Sequence, residues 1–437
     1  MFSVKREDFG KDFVFGAATA AYQIEGGQLD GRGPSIWDSF SRTPGNTHNF
    51  ESGVQACDHY NLWPKDLDLI QDAGFDAYRF SLSWPRLIPE GTGATNQKGL
   101  DYYDRLIDGM LERNIKPFAT LYHWDLPSPL QDKGGWMNRD IASWFADYAS
   151  LVQQKYGDRI ETTATINEPW CVSFLSHFLG AHAPGYKDIR ATARAMHHVL
   201  FAHGKAVEAI RAEGGNNLGI VLNFEWDMPA TDSADDKKAA HIADGIFNRW
   251  FLDGIFKGQY PDDMLEAFGD NMPKGFDADM KTVSTPLDWL GVNYYTRRVV
   301  EYDANLPVFP VKPVEGGLET TEMGWEIYPQ GLENILTRIS NDYTKIPMYV
   351  TENGMAEVEG MDDPRRVKYY NDHLQAVINA KAKGANMQGY FAWSLLDNYE
   401  WAEGYNKRFG LVHVDYETQV RTPKASYRAF QGLLHNT

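Results

Sequence analysis

Two stretches of this chain end in a carboxylate at a point where a carboxylate is costly. Pro347 to Gly354 reads P-M-Y-V-T-E-N-G, an apolar strand that stops at Glu352, an amide and a glycine turn. Burying Tyr349 and Val350 draws Glu352 to the edge of the core, so its carboxyl has to be paired, protonated or used. Thr163 to Pro169, T-A-T-I-N-E-P, has the same construction: a short β-prone run, then Asn167, Glu168 and a chain-breaking proline. The shared layout predicts two strands that deliver two carboxyls to the same end of one scaffold. Such a pair suits chemistry in which one member holds a proton while the other stays ionised.

The scaffold that could do this is legible along the whole chain. Eight short apolar strand candidates lie near Phe13 to Thr19, Ala77 to Ser81, Pro117 to His123, Thr163 to Asn167, Gly219 to Asn223, Trp289 to Tyr294, Met348 to Glu352 and Gly389 to Trp393. Apolar residues at helical spacing fill Leu62 to Ala73, Gly99 to Asn114, Ile141 to Tyr156, Ile189 to Glu213, Asp236 to Phe256, Pro329 to Asp342, Pro364 to Lys383 and Pro423 to Leu434. Strands alternating with helices predict a parallel sheet with crossover helices, and eight of each fit an α/β fold, the (β/α)8 TIM barrel, as a single domain over 1–437. Two stretches, Gly26 to Cys57 and Tyr295 to Tyr328, are expected as long connections, functional or ordered by small elements of their own, and on the strand-exit side such loops build a barrel's pocket.

Composition narrows the function classes. Of 437 residues, 43% are hydrophobic and 23% charged, which suits a globular protein with a large core rather than a disordered one. A formal charge of -18 repels nucleic acid and anionic membranes, so neither is expected as a partner and a neutral small molecule is. Cys57 and Cys171 lie outside any C-x-x-C or zinc spacing and are expected as buried thiols. His197, His198 and His203 share a helical stretch without H-E-x-x-H spacing, so no metal is expected. The N-terminal M-F-S-V-K-R-E-D-F-G lacks the apolar run of a signal peptide and no later stretch is long enough to span a membrane, which makes cytoplasmic the expected location. Monomer and homo-oligomer both stay open.

Further motifs stand in order around the two glutamates: F-G-A-A-T-A-A-Y-Q-I-E-G from Phe15, Y-R-F-S-L-S-W-P-R from Tyr78, L-Y-H-W-D-L-P from Leu121, G-V-N-Y-Y-T from Gly291 and W-S-L-L-D-N-Y-E-W from Trp393. With N-E-P and T-E-N-G they make the chain resemble, over nearly its whole length, the family 1 glycoside hydrolases of the retaining β-glucosidase type. The resemblance implies hydrolysis of terminal β-D-glucosyl residues from aryl or alkyl glucosides and short oligosaccharides such as cellobiose, with no cofactor. Galactosides or fucosides as the main substrates remain an alternative, because the same sugar-binding set serves all three. A 6-phospho-β-glucosidase is disfavoured by the acidic Glu400. Two rivals come from other classes. A non-catalytic sugar-binding barrel should have lost a carboxyl, and a metal-dependent barrel hydrolase lacks its ligands here.

Cleavage of a glycosidic bond passes through an oxocarbenium-like state and needs a protonated carboxyl at the leaving oxygen and an ionised one across the ring. The resemblance makes Glu168 the acid and base and Glu352 the nucleophile. It places Arg79 and Tyr295 beside Glu352, where a fixed cation and a hydroxyl favour the charged form, although Arg79 could equally be a structural ion pair. Gln23, His123, Asn167 and Glu400 are expected to meet sugar hydroxyls, Trp401 to offer its indole N–H, Trp393 to form an aromatic floor, and Asn293 to support the nucleophile side. Trp124 is expected near the sugar, and Trp136 and Trp144 in the core. Trp170 and Leu175 either pack the start of the next helix or narrow the aglycone side of the pocket.

Overall fold

The computed structural model describes residues 1–27, 30–357 and 360–435. The barrel strands are β1 (Val14–Ala18), β2 (Ala77–Ser81), β3 (Lys116–Tyr122), β4 (Thr162–Asn167), β5 (Leu218–Pro229), β6 (Trp289–Tyr302), β8 (Met348–Asn353) and β9 (Met387–Trp393), with β7 (Val311–Val314) folded back on β6. Pairing runs β5-β4-β3-β2-β1-β9-β8-β6, all parallel, and β5 pairs β6 to close the ring. Each barrel strand is covered inside by the barrel core and outside by helices, so its residues are almost continuously buried rather than alternately buried and exposed.

Aromatic rings plug the barrel interior. Phe118 packs 4.9 Å from Phe391 and 5.6 Å from Tyr349, which meets Trp289 at 5.6 Å. Two strand glycines make room for this plug. A Cβ on Gly16 would lie 2.3 Å from the Phe391 ring, and one on Gly219 would lie 2.5 Å from Trp289. The register aligns Ala18 with both Arg79 and Trp393, and Asn293 with both Asn223 and Glu352, so the polar residues collect at the strand-exit rim.

Both long connections carry small elements of their own, and one expected helix is broken. Tyr295 to Tyr328 is not a plain loop. β5 and β6 continue past their expected ends at Asn223 and Tyr294, and β7 pairs antiparallel to β6. The extension is tied by Arg298, which pairs with Glu225 and Asp227 across the strands, and by Asp236, which accepts from Tyr302 N at 3.0 Å. Gly26 to Cys57 contains the helix Ile36–Arg42. The helix expected from Asp236 to Phe256 is interrupted by a π segment, Gly245–Arg249, and two helices without an expected counterpart follow it, Asp262–Phe268 and Phe276–Val283. No helix among the described residues is long and apolar enough to cross a membrane.

Candidate active site

The rim surrounds a cavity of about 350 Å³ lined by both glutamates. Glu352 leaves β8 nearly buried, and both of its oxygens accept strong donors: Arg79 Nη1 reaches Oε1 at 2.6 Å and Tyr295 Oη reaches Oε2 at 2.7 Å. Burial and the adjacent Glu352 push the Tyr295 phenol far above its usual range, so it stays a donor. Acceptance at both oxygens, one from a cation, is the bonding pattern of an ionised carboxylate.

Glu168 has the opposite surroundings. The chain turns sharply at this residue, with φ 49°, before Pro169 and a π-helical segment, Cys171–Leu179; such segments recur at functional sites. Its carboxyl is buried, with Asn293 Nδ2 at 2.7 Å from Oε1 and the Cys171 thiol at 3.0 Å from Oε2. Among the described residues no cation touches it directly. Burial, and then the charge of Glu352, push it well above the ordinary carboxyl range. Asn293 therefore serves Glu168 and not the nucleophile side as expected. A register shift between Val292 and Asn293 accompanies this arrangement, and Thr351 donates to Asn293 Oδ1 at 2.8 Å and fixes its amide.

The other expected residues fall into two layers. His123, Trp124, Trp393, Glu400, Trp401, Trp170 and Leu175 line the cavity with the two glutamates and Tyr295. Gln23, Arg79, Asn167 and Asn293 are almost completely buried beside it, each bonded to a lining residue. Asn167 Oδ1 accepts from Arg79 at 2.7 Å and from Asn293 at 3.1 Å, while its amide faces His123 Nε2 at 3.1 Å. Burial and Arg79 hold His123 well below its usual pKa, so the neutral ring accepts from that amide. Gln23 Nε2 donates to Tyr399 O at 2.9 Å and reaches Glu400 Oε2 at 3.4 Å, leaving Gln23 Oε1 without a partner among the described residues. Burial, with Glu352 second, pushes Glu400 up to about 8.

Aromatic rings frame one side of the cavity. Trp401 packs 4.6 Å from Trp124 and stacks over His123 at 6.0 Å, and Trp393 stacks on the same imidazole at 5.8 Å. Trp124 Nε1 bonds Asn167 O at 2.9 Å. Trp136 is core and donates to Tyr122 Oη, whereas Trp144 is half-buried under Lys133 and so is not fully core as expected. Trp170 lies 4.3 Å from Phe247 and 5.8 Å from Phe174, so it packs the following segment and faces the cavity at once. The cavity lining also contains His182, Met323, Trp325 and Phe409, which the sequence did not single out. Cys57 and Cys171 are both buried thiols. His197, His198 and His203 bond Asp279, Trp136 O and Thr165, and among the described residues no cluster could hold a metal.

This arrangement can set an acid and an ionised carboxylate on the wall of one small cavity. Comparison with known proteins agrees with a sugar-processing scaffold. The model of glycosyl hydrolase family 1 matches residues 5–437. A 1,4-beta-D-glucan glucohydrolase of Thermotoga neapolitana is 47% identical, with 98% of each chain covered. A beta-glucosidase of an Agrobacterium species is 48% identical over 97% of this chain and 95% of its own. The structure of a Thermotoga maritima beta-glucosidase in complex with deoxynojirimycin superposes with a TM-score of 0.95 at 44% identity, covering 98% of both chains. A match of this extent, on a closed eight-stranded barrel with paired glutamates at its rim, places the chain in glycosyl hydrolase family 1.

Proposed function

We propose that the protein is a retaining β-glucosidase that removes terminal non-reducing β-D-glucosyl residues from aryl and alkyl glucosides and from short oligosaccharides such as cellobiose. The observation that carries this reading is the asymmetry of the two buried carboxyls. Glu352 takes bonds from Arg79 and Tyr295 on both oxygens, while Glu168 has no direct cation among the described residues and is pushed toward its protonated form. The beta-glucosidase and glucan glucohydrolase names of the relatives, and the complex with deoxynojirimycin, support a glucoside as the substrate class.

In this reading Glu352 attacks the anomeric carbon as the bond to the leaving oxygen breaks, and the Glu168 proton passes to that oxygen. The product of the step is a covalent glycosyl-enzyme with inverted configuration. Glu168, now ionised, takes a proton from a water that attacks the same carbon, Glu352 leaves, and the second inversion restores the β configuration. Glu400, His123 and Trp401 on the cavity wall, together with Gln23 behind Glu400 and Asn167 behind His123, form the set that meets the sugar hydroxyls, and Trp124 and Trp393 supply flat apolar surface for its C–H bonds. Proton NMR during hydrolysis of nitrophenyl β-D-glucoside tests the mechanism. β-Glucose should form first and then mutarotate. Initial α-glucose would refute it.

A further inference from the structure

The geometry points to Cys171 as a positioning residue for Glu168, its thiol holding Oε2 while Asn293 holds Oε1. The Sγ to Oε2 distance is 3.0 Å, and the residue lines the cavity at 7% exposure. The left-handed turn at Glu168, closed by a bond from Val172 N to Glu168 O at 3.1 Å, carries the side chain of Cys171 back over the carboxyl it follows by three positions. Asn223 Nδ2, 3.8 Å from the sulfur, donates to it from β5 and leaves the S–H to point at Glu168. Burial and the adjacent Glu168 keep the thiol protonated, so it remains a donor across the working range.

A donor on each oxygen favours the ionised form of Glu168, against burial and Glu352. The thiol thereby limits how weak the acid becomes, and it fixes which lone pairs stay open toward the cavity. This use of Cys171 rests on the reading of Glu168 as acid and base. The groups that face the pair from other elements are Arg79 on β2, His123 after β3, Glu225 on β5, Tyr295 on β6, Glu352 on β8 and Glu400 after β9. None of them changes in a Cys171 variant.

The test follows the Glu168 carboxyl by NMR in protein with isotope-labelled glutamate, its signal assigned by its loss in Glu168→Gln. In Cys171→Ala the titration midpoint should rise by roughly half to one pH unit, as expected when a weak donor to the charged form is lost. Cys171→Ser keeps a donor and should return the midpoint to the parental value or below it. The alkaline limb of kcat/KM should move in the same direction in each variant, with KM little changed. An unchanged midpoint in Cys171→Ala, or one that serine does not restore, would overturn the role of the thiol. A midpoint that moves while the kinetic limb stays would leave the thiol bond standing and remove Glu168 from the acid role.

Discussion

Arg79 grips both glutamate-bearing strand ends with one guanidinium. Nη1 holds Glu352 Oε1 at 2.6 Å and Nη2 holds Asn167 Oδ1 at 2.7 Å, next to Glu168 in the chain. The planar fork does what a lysine ammonium cannot, since two acceptors must be met at fixed angles. Arg79→Lys should therefore lose about 10² to 10³ in kcat/KM while folding near-normally, the size of loss seen when a preorganised donor is removed. Arg79→Met, which leaves Glu352 buried without its partner, should also unfold about 3 to 5 kcal/mol more easily. Steady-state kinetics and urea unfolding of both variants check this, and near-parental activity in the lysine variant would reject it.

The division of labour between the glutamates predicts products of opposite configuration. Glu352→Ala should be almost inactive, and azide should restore turnover of a dinitrophenyl glucoside by entering the vacated face to give the α-glycosyl azide. In Glu168→Ala the glycosyl-enzyme still forms from this activated substrate, and azide should release the β-glycosyl azide. NMR of the isolated azides decides between these roles. The reverse pattern would exchange them.

The same asymmetry sets the pH dependence. Burial and Glu352 raise Glu168, so the proton needed by the leaving group is present below its raised value and lost as pH rises through it. The alkaline limb of kcat/KM should lie well above the ordinary glutamate value of about 4.3. Glu400, pushed up to about 8, adds a stability effect. The native state holds its proton between about 4.3 and that value while the unfolded state does not, so stability falls as pH rises across this window. Thermal unfolding of Glu400→Gln as a function of pH should show a shallower fall than the parent.

The barrel and its two glutamates were legible because each signal is local. An apolar run that stops at a carboxyl, an amide and a turn already contains a strand, its end and the group delivered there. The place of Arg79 beside Glu352 was legible only through the resemblance of Y-R-F-S to the family, because nothing local tells a guanidinium that tunes a carboxyl from one that merely pairs with it. The partner of Asn293 was not, because its amide turns toward Glu168 although its Cα pairs with Glu352, a choice made at a register shift between strands. Cys171 looked like any buried thiol until the left-handed turn at Glu168 folded it onto the carboxyl. Trp325 and Met323 lie on the connection after β7, where no periodicity marks which side chains face inward.

The cavity should reject phosphorylated sugars. Its described lining includes Glu168, Glu225, Glu352, Glu400 and Glu403 but no Lys or Arg, and Arg79 beside it already serves Glu352 and Asn167. Desolvating a phosphate dianion in this cavity, close to the charge of Glu352 and with no free cation among the described residues to pair it, costs several kcal/mol on an order-of-magnitude view, about 10³-fold in kcat/KM. The ratio of kcat/KM for nitrophenyl β-glucoside and its 6-phospho form measures it. Preference for the phosphorylated substrate would show that a basic group reaches the sugar.

The outer cavity bears on product inhibition. Trp170, Leu175, Phe247, Met323 and Trp325 give it an apolar wall, and the Trp170 indole nitrogen has no partner among the described residues. Free glucose settling there gives up hydrogen bonds to water and recovers few, which disfavours occupancy by roughly 1 to 3 kcal/mol. An aryl aglycone loses much less, since its flat faces suit the indole rings. Hydrolysis should therefore tolerate glucose. Trp170 is held by Phe247 at 4.3 Å, so Trp170→Ala opens the wall to water, and Leu175→Ala, at a half-buried position, does so with less disturbance. Both variants should be inhibited by glucose more strongly than the parent, by about 5-fold to 150-fold on the same 1 to 3 kcal/mol scale. Inhibition constants for glucose in the three proteins, with nitrophenyl β-glucoside as reporter, are the measurement. Strong inhibition of the parent, or constants unchanged in both variants, would mean that Trp170 and Leu175 only pack the segment that follows Glu168.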